Sequence, residues 1–143
     1  MTRQLKIQID ISAPTTRVWA VMIDVERWRE WTASIENITL LDHAPLSVGS
    51  KVRIRQPRFP PVVWRVTRLE PGRLFAWESR SPGVTVTGTH SVVAVGVGSR
   101  ATLQLDYAGP FGSILASLTR KISERYVALE AAGLKQRSEG PPV

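Results

Sequence analysis

At 143 residues the chain is long enough for one domain with a real core and too short for two comfortable ones. It has no cysteine, which excludes disulfides, thiolate metal sites and cysteine nucleophiles together; this suits a reducing compartment, and a cytoplasmic location is expected. Nineteen Lys and Arg against twelve Asp and Glu leave a formal charge of +7, spread through the chain without a basic tail or run. That distribution favours a solvated surface and is compatible with peripheral contact with anionic surfaces.

Residues 4 to 11 place Leu5, Ile7, Ile9 and Ile11 on one face and Gln4, Lys6, Gln8 and Asp10 on the other, the period of a half-buried strand. The same alternation argues against a signal peptide or a membrane span at this end. Pro14 suits the first turn of a short helix carrying Val18, Trp19, Val21 and Met22. Asp24 is placed to cap a second short helix, in which Trp28 and Trp31 share a face. Strands follow at 34–41, 50–56, 62–69, 73–80, 84–95 and 100–107, divided by "DHAPLSVG", "PRFPP", "EPG", "SPG" and "GVGS". Short gaps built from turn residues indicate an antiparallel meander.

After Pro110 the period becomes helical, with Phe111, Leu115, Leu118, Ile122, Tyr126 and Leu129 as the apolar stripe, to about Gly133. The segment "KQRSEGPPV" reads as a polar, frayed tail. One domain over residues 1–138 with a disordered tail over 139–143 is the expected organisation.

One amphipathic helix is the only large cover for about seven strands. A curved sheet wrapped round a single helix encloses more space than side chains fill, so a hollow between them is expected. The pieces "ISAPTTRVWAVMIDVERWREW", "VGSKVRI", "RVTRLEPGRLFAWES", "GTHSVV" and "YAGPFGSIL", in this order, resemble the START-like or helix-grip superfamily (Bet v 1-like, SRPBCC), which includes polyketide cyclases and dehydrases. The resemblance covers nearly the whole chain. It implies an α+β helix-grip fold: a curved antiparallel sheet of about seven strands round a long C-terminal helix, with two short helices after strand one. It also implies a pocket for a hydrophobic or amphipathic small molecule, lipid or polyketide-like, without saying which, since this fold hosts carriers, cyclases and cochaperone-like modules.

Alternation on strand 84–95 turns Val84, Val86, His90, Val92 and Ala94 inward. An inward histidine can move a proton, orient a ligand carbonyl or merely satisfy a neighbouring group; no second residue is spaced in sequence to complete a dyad. Leu103, Leu105 and Tyr107 face inward from the last strand. Trp64 is core or pocket wall, and Phe75 and Trp77 are the better inward choice on their strand, which sends Glu78 out. The expected ligand-contacting set is Trp31, Trp64, Phe75, Trp77, His90, Leu103, Leu105, Tyr107, Phe111, Leu115, Leu118 and Ile122, with His90 and Tyr107 as candidates for catalysis. Trp31 is expected to plug one end of the hollow, and Trp28 to line a packing seam.

Lys51, Arg53, Arg55 and Arg65 form a basic patch on the outer sheet face without interleaved aromatics, so nucleic acid is not an expected partner. His43 and His90 lack a carboxylate cluster at ligand spacing, and "GVGS" joins two strands without opening a helix; neither a metal nor another cofactor is expected. Three functional classes remain: a carrier of a hydrophobic ligand, a cyclase or dehydrase using the same hollow, and an interaction module with a basic outer face. The chain is expected to act as a monomer or homodimer.

Overall fold

The computed structural model describes residues 3–141. Seven antiparallel strands form one sheet: β1 (Arg3–Ile11), β2 (Asn37–Leu40), β3 (Lys51–Arg55), β4 (Val62–Glu70), β5 (Leu74–Ser81), β6 (Val84–Val95) and β7 (Gly98–Ala108), in the order β1-β7-β6-β5-β4-β3-β2. The meander expected from the short turns runs from β2 to β7. The first strand then closes on the last, with Leu5 opposite Leu105 and Ile9 opposite Ala101. The α1 helix (Thr15–Ile23) and a 3-10 turn (Val25–Glu30) follow β1, and α2 (Gly112–Glu139) ends the chain. The sheet and long helix make an α+β helix-grip architecture.

Local departures from the sequence reading have physical causes. Asp24 does not cap the segment after it through its side chain; its carboxylate pairs with Arg27, and the segment is a 3-10 turn too short to need more. The long helix does not stop near Gly133 but runs six residues further, so residues 135–139 of the expected tail are helical. Its last carbonyls are satisfied from outside: Arg17 of α1 donates from Nη2 to Arg137 O at 3.0 Å and from Nε to Ser138 O at 3.4 Å. Residues 142 and 143 of that tail lie outside the described residues.

The buried face of α2 is also turned from the stripe read in sequence. Ser123, Tyr126, Val127, Ala131, Gly133 and Leu134 are buried, while Leu118 is 80% exposed and Phe111 57%. Small residues hold this face because the helix lies close to its neighbours: a Cβ on Gly133 would overlap the Trp31 carbonyl oxygen and lie 2.9 Å from Trp31 Cε3. An apolar period marks large side chains and cannot mark a contact made by backbone.

Two apolar clusters hold the fold. The larger gathers Ile11, Val18, Met22, Val25, Trp28, Val52, Val66, Phe75, Val92 and Leu134 at the end covered by α1. The smaller joins α2 to β1 and β7 through Val127, Ala131 and Leu103, with Leu5, Ile7, Ile9 and Leu105 against them. Burying an aliphatic side chain contributes about 1.5–3 kcal/mol. The helix is thus fastened at one end and along one edge of the sheet, and the space facing β3 to β6 is left without side chains enough to fill it.

Candidate functional site

A cavity of about 580 Å³ occupies that space, between α2 and the concave sheet face. Its floor is a layer of rings. The His90 imidazole stacks on Phe75 at 4.4 Å with only 9° between the planes, and Trp28 and Trp77 stand 5.2 and 5.3 Å away. Strand geometry accounts for this grouping: β5 and β6 pair antiparallel with Phe75 opposite His90 and Trp77 opposite Gly88, so alternation brings all four positions to one face. Gly88 has no side chain there. A Cβ at that position would lie 3.0 Å from Trp77 Nε1 and 3.7 Å from His90 Cε1, closer to the indole than an ordinary contact, so the glycine lets the Trp77 ring lie against β6 beside His90.

From the opposite wall, Glu130 of α2 places Oε1 3.4 Å from His90 Nε2, and both side chains are largely buried. His90 Nδ1 is buried and has no hydrogen-bond partner in the protein. The floor is therefore apolar except for one imidazole facing one carboxylate. Such a pair can hold a ligand hydroxyl or carbonyl by charge-assisted hydrogen bonds, and it has the groups needed to pass a proton. Higher up, the Tyr107 hydroxyl is 3.2 Å from Ser123 Oγ, so its hydrogen bond is made within the protein wall. Tyr126 donates to the carbonyl of Pro57 and meets Phe59 edge-on at 5.9 Å, fastening the proline-rich segment 57–61 to α2. The exposed members of the wall, Pro60, Pro61, Val63, Arg80 and Ser81, mark the mouth.

Of the residues proposed from sequence, Trp64, Trp77, His90, Leu103, Leu105, Tyr107 and Leu115 line this cavity. Phe75 does not: it is fully buried beneath His90 and supports the floor. Phe111, Leu118 and Ile122 lie outside the wall because the helix is turned, Phe111 and Leu118 being exposed. The two tryptophans exchange their expected places. Trp28 reaches the floor at 2% exposure, its Nε1 donating to Met22 O at 3.0 Å, while Trp31 packs behind it, rings 5.6 Å apart, against Gly133. Glu130, Ser123, Thr119, Tyr126 and Val127 were not singled out as lining residues. A heptad-like count through Leu115 would have reached Thr119, Ser123, Tyr126 and Glu130, but only if polar residues are admitted to an inward face.

The basic residues of the outer face stay exposed. Lys51 sits opposite Arg65, Arg65 opposite Glu78, and Arg55 Nε lies 4.0 Å from Glu36. Among the described residues no group of three metal-ligating side chains converges, and no helix is long and apolar enough to cross a membrane.

A curved sheet gripping one helix over a partly apolar cavity defines the START-like class of single-pocket proteins. The chain belongs to the family described as polyketide cyclase/dehydrase and lipid transport, which it matches over residues 2–139. Among solved structures it is similar to the Zhui aromatase/cyclase from Streptomyces sp. R1128, at 17% identity and TM-score 0.78, covering 97% of this chain and 94% of that one. A Thermus thermophilus protein aligns at 21% identity and TM-score 0.75, over 95% of this chain and 97% of that one. A START superfamily protein from Mycobacterium smegmatis aligns at 13% and 0.72, over 93% and 97%. These identities establish a shared fold and nothing finer. No curated protein matches the sequence significantly.

Proposed function

We propose that the protein binds a hydrophobic or amphipathic small molecule, lipid-like or polyketide-like, in the cavity between α2 and the sheet. The observation that carries this reading is a cavity of about 580 Å³ whose wall is mostly apolar and whose floor holds one buried His–Glu pair. Its size falls within the usual range for small-molecule sites, about 300–1,000 Å³. The apolar body of the ligand lies among Trp64, Val86, Leu103, Leu105 and Leu115, and its polar group meets His90 and Glu130. Trp28, Trp64 and Trp77 all line the wall, so their fluorescence reports occupancy directly.

The test is a titration with a homologous series of alkyl carboxylates or alkyl phenols, followed by tryptophan fluorescence. Each added methylene should tighten binding about fourfold, the equivalent of about 0.8 kcal/mol per buried CH₂, until the cavity is full. Native mass spectrometry after gentle purification should show a co-purified adduct. No dependence on chain length and no adduct would refute the reading.

The buried pair favours a second reading, an enzyme of the cyclase or dehydrase type. The cavity folds a reactive chain, and His90, facing Glu130, takes a proton from carbon or delivers one to a leaving hydroxyl. Here His90→Gln should abolish turnover of a poly-β-ketone substrate while leaving binding nearly intact. Equal turnover in the variant would remove His90 as acid or base.

A further inference from the structure

Beside the cavity mouth, Phe111 and the first turns of α2 carry an apolar face left largely exposed among the described residues. Phe111, Ile114 and Leu118 are 57%, 57% and 80% exposed. Their spacing of three and four puts them on one side of the helix, next to Leu115, which turns into the cavity. Phe111 is held at the mouth by its backbone: its N–H donates to Gly83 O at 3.0 Å, in the β5–β6 turn two residues beyond Ser81. The turn brings Gly83 in at φ 77°, a conformation suited to glycine, and a Cβ there would overlap the Phe111 ring.

The same helix side continues with cations. Lys121 follows Leu118 by three residues and Arg125 follows Lys121 by four. Across the mouth, Arg58 lies in the segment that Tyr126 fastens to α2. All three cations are exposed, and none is in an ion pair among the described residues; the neighbouring acid, Glu124, is held by Arg120. The outer sheet patch differs: it is carried by strands, and Arg55 there lies 4.0 Å from Glu36.

We infer that this face docks on an anionic phospholipid bilayer. Phe111, Ile114 and Leu118 enter the boundary between headgroups and acyl chains, while Lys121, Arg125 and Arg58 meet the lipid phosphates. An apolar toe followed along one helix side by unpaired cations is complementary to a bilayer, which offers those chemistries at successive depths. Docking in this pose turns the cavity mouth toward the membrane, so a ligand passes between bilayer and cavity without crossing water. That transfer step rests on the ligand-binding reading; the docking itself does not.

The experiment is co-sedimentation of the full chain with phosphatidylcholine vesicles, with and without phosphatidylserine, at low and high salt. Binding is expected only with phosphatidylserine and should weaken as salt rises. Lys121→Glu with Arg125→Glu should weaken it more than tenfold, since each basic residue near an anionic surface contributes about fivefold. Ile114→Asp with Leu118→Asp should weaken it at least tenfold. These positions are exposed and outside the cavity wall, so thermal melting and alkyl-ligand titration should be unchanged, and a failed carrier reading shows separately in that titration. Arg53→Glu on the outer sheet serves as the control and should bind vesicles like the parent. Absent vesicle binding, binding lost through Arg53→Glu with the helix variants unaffected, or the same face gripping an acidic protein and not vesicles would each overturn the inference.

Discussion

Removing Glu130 and His90 singly and together tests whether the two groups at the cavity floor act as a unit. At 3.4 Å, opposite unit charges in an effective dielectric of about 20 attract by about 5 kcal/mol before desolvation, for the imidazolium form. Desolvation of two largely buried groups offsets part of this, leaving an expected coupling of at least about 3 kcal/mol. Glu130→Leu takes the carboxylate from Nε2 and leaves the imidazole among rings with neither nitrogen paired, at a cost of about 1–3 kcal/mol. His90→Phe keeps the stack on Phe75 but strands a carboxylate, at a cost of about 3 kcal/mol or more. In the double variant both polar groups are gone, and its stability should fall within about 1 kcal/mol of the parent. Urea unfolding followed by circular dichroism measures all four corners of the cycle. Single costs that add to within about 0.5 kcal/mol would show two independent side chains and refute the reasoning.

Other consequences are open to measurement. Gly133→Ala raises intrinsic helix propensity by about 1 kcal/mol, yet its Cβ meets the Trp31 carbonyl, an overlap that costs about 1–3 kcal/mol. The variant should melt a few degrees lower than the parent, and a higher melting temperature would show that Trp31 yields freely. Gly88→Leu should push the Trp77 ring out of its place in the cavity wall, since even a Cβ there lies 3.0 Å from Trp77 Nε1, and weaken alkyl-ligand binding; unchanged binding at every chain length would place the ligand elsewhere. The Glu139 carboxyl is held below its ordinary value of 4.5, first by the hydrogen bond from Lys135 and then by the Ser12 N–H. A carboxyl depressed in the folded state stabilises above that ordinary value and loses the contribution as pH falls through its folded value. The advantage of the parent over Glu139→Gln should therefore hold at neutral pH and shrink on acidification below about 4.5; a gap constant with pH would rule out the contact.

The strands and their inward residues were legible because alternation in β6 and β7 is a local property: His90, Leu103, Leu105 and Tyr107 share a face by counting alone. Trp64 follows from the same count, whereas both faces of β5 carry plausible core residues and only size favoured Phe75 and Trp77. The helix face was not legible in the same way. Ser123, Ala131 and Gly133 face inward because α2 lies close to β1, β7 and Trp31, and small or polar residues on a packed face leave no apolar period. Reading the stripe through Phe111 and Leu118 consequently placed exposed residues in the cavity and left Glu130 out.

By itself the sequence determined the order of elements, the antiparallel meander and the expectation of a hollow, since each depends on neighbours along the chain and on how many strands one helix can cover. Tertiary structure alone decided what the hollow contains. His90 and Glu130 are forty residues apart, and Trp28 comes from a turn that precedes both; no spacing within one segment records their meeting. They converge because β6 is held in register beside β5 while α2 is fastened by Leu134, Ala131 and Val127, and that fastening sets both the rotation of the helix and the point at which Glu130 reaches the sheet.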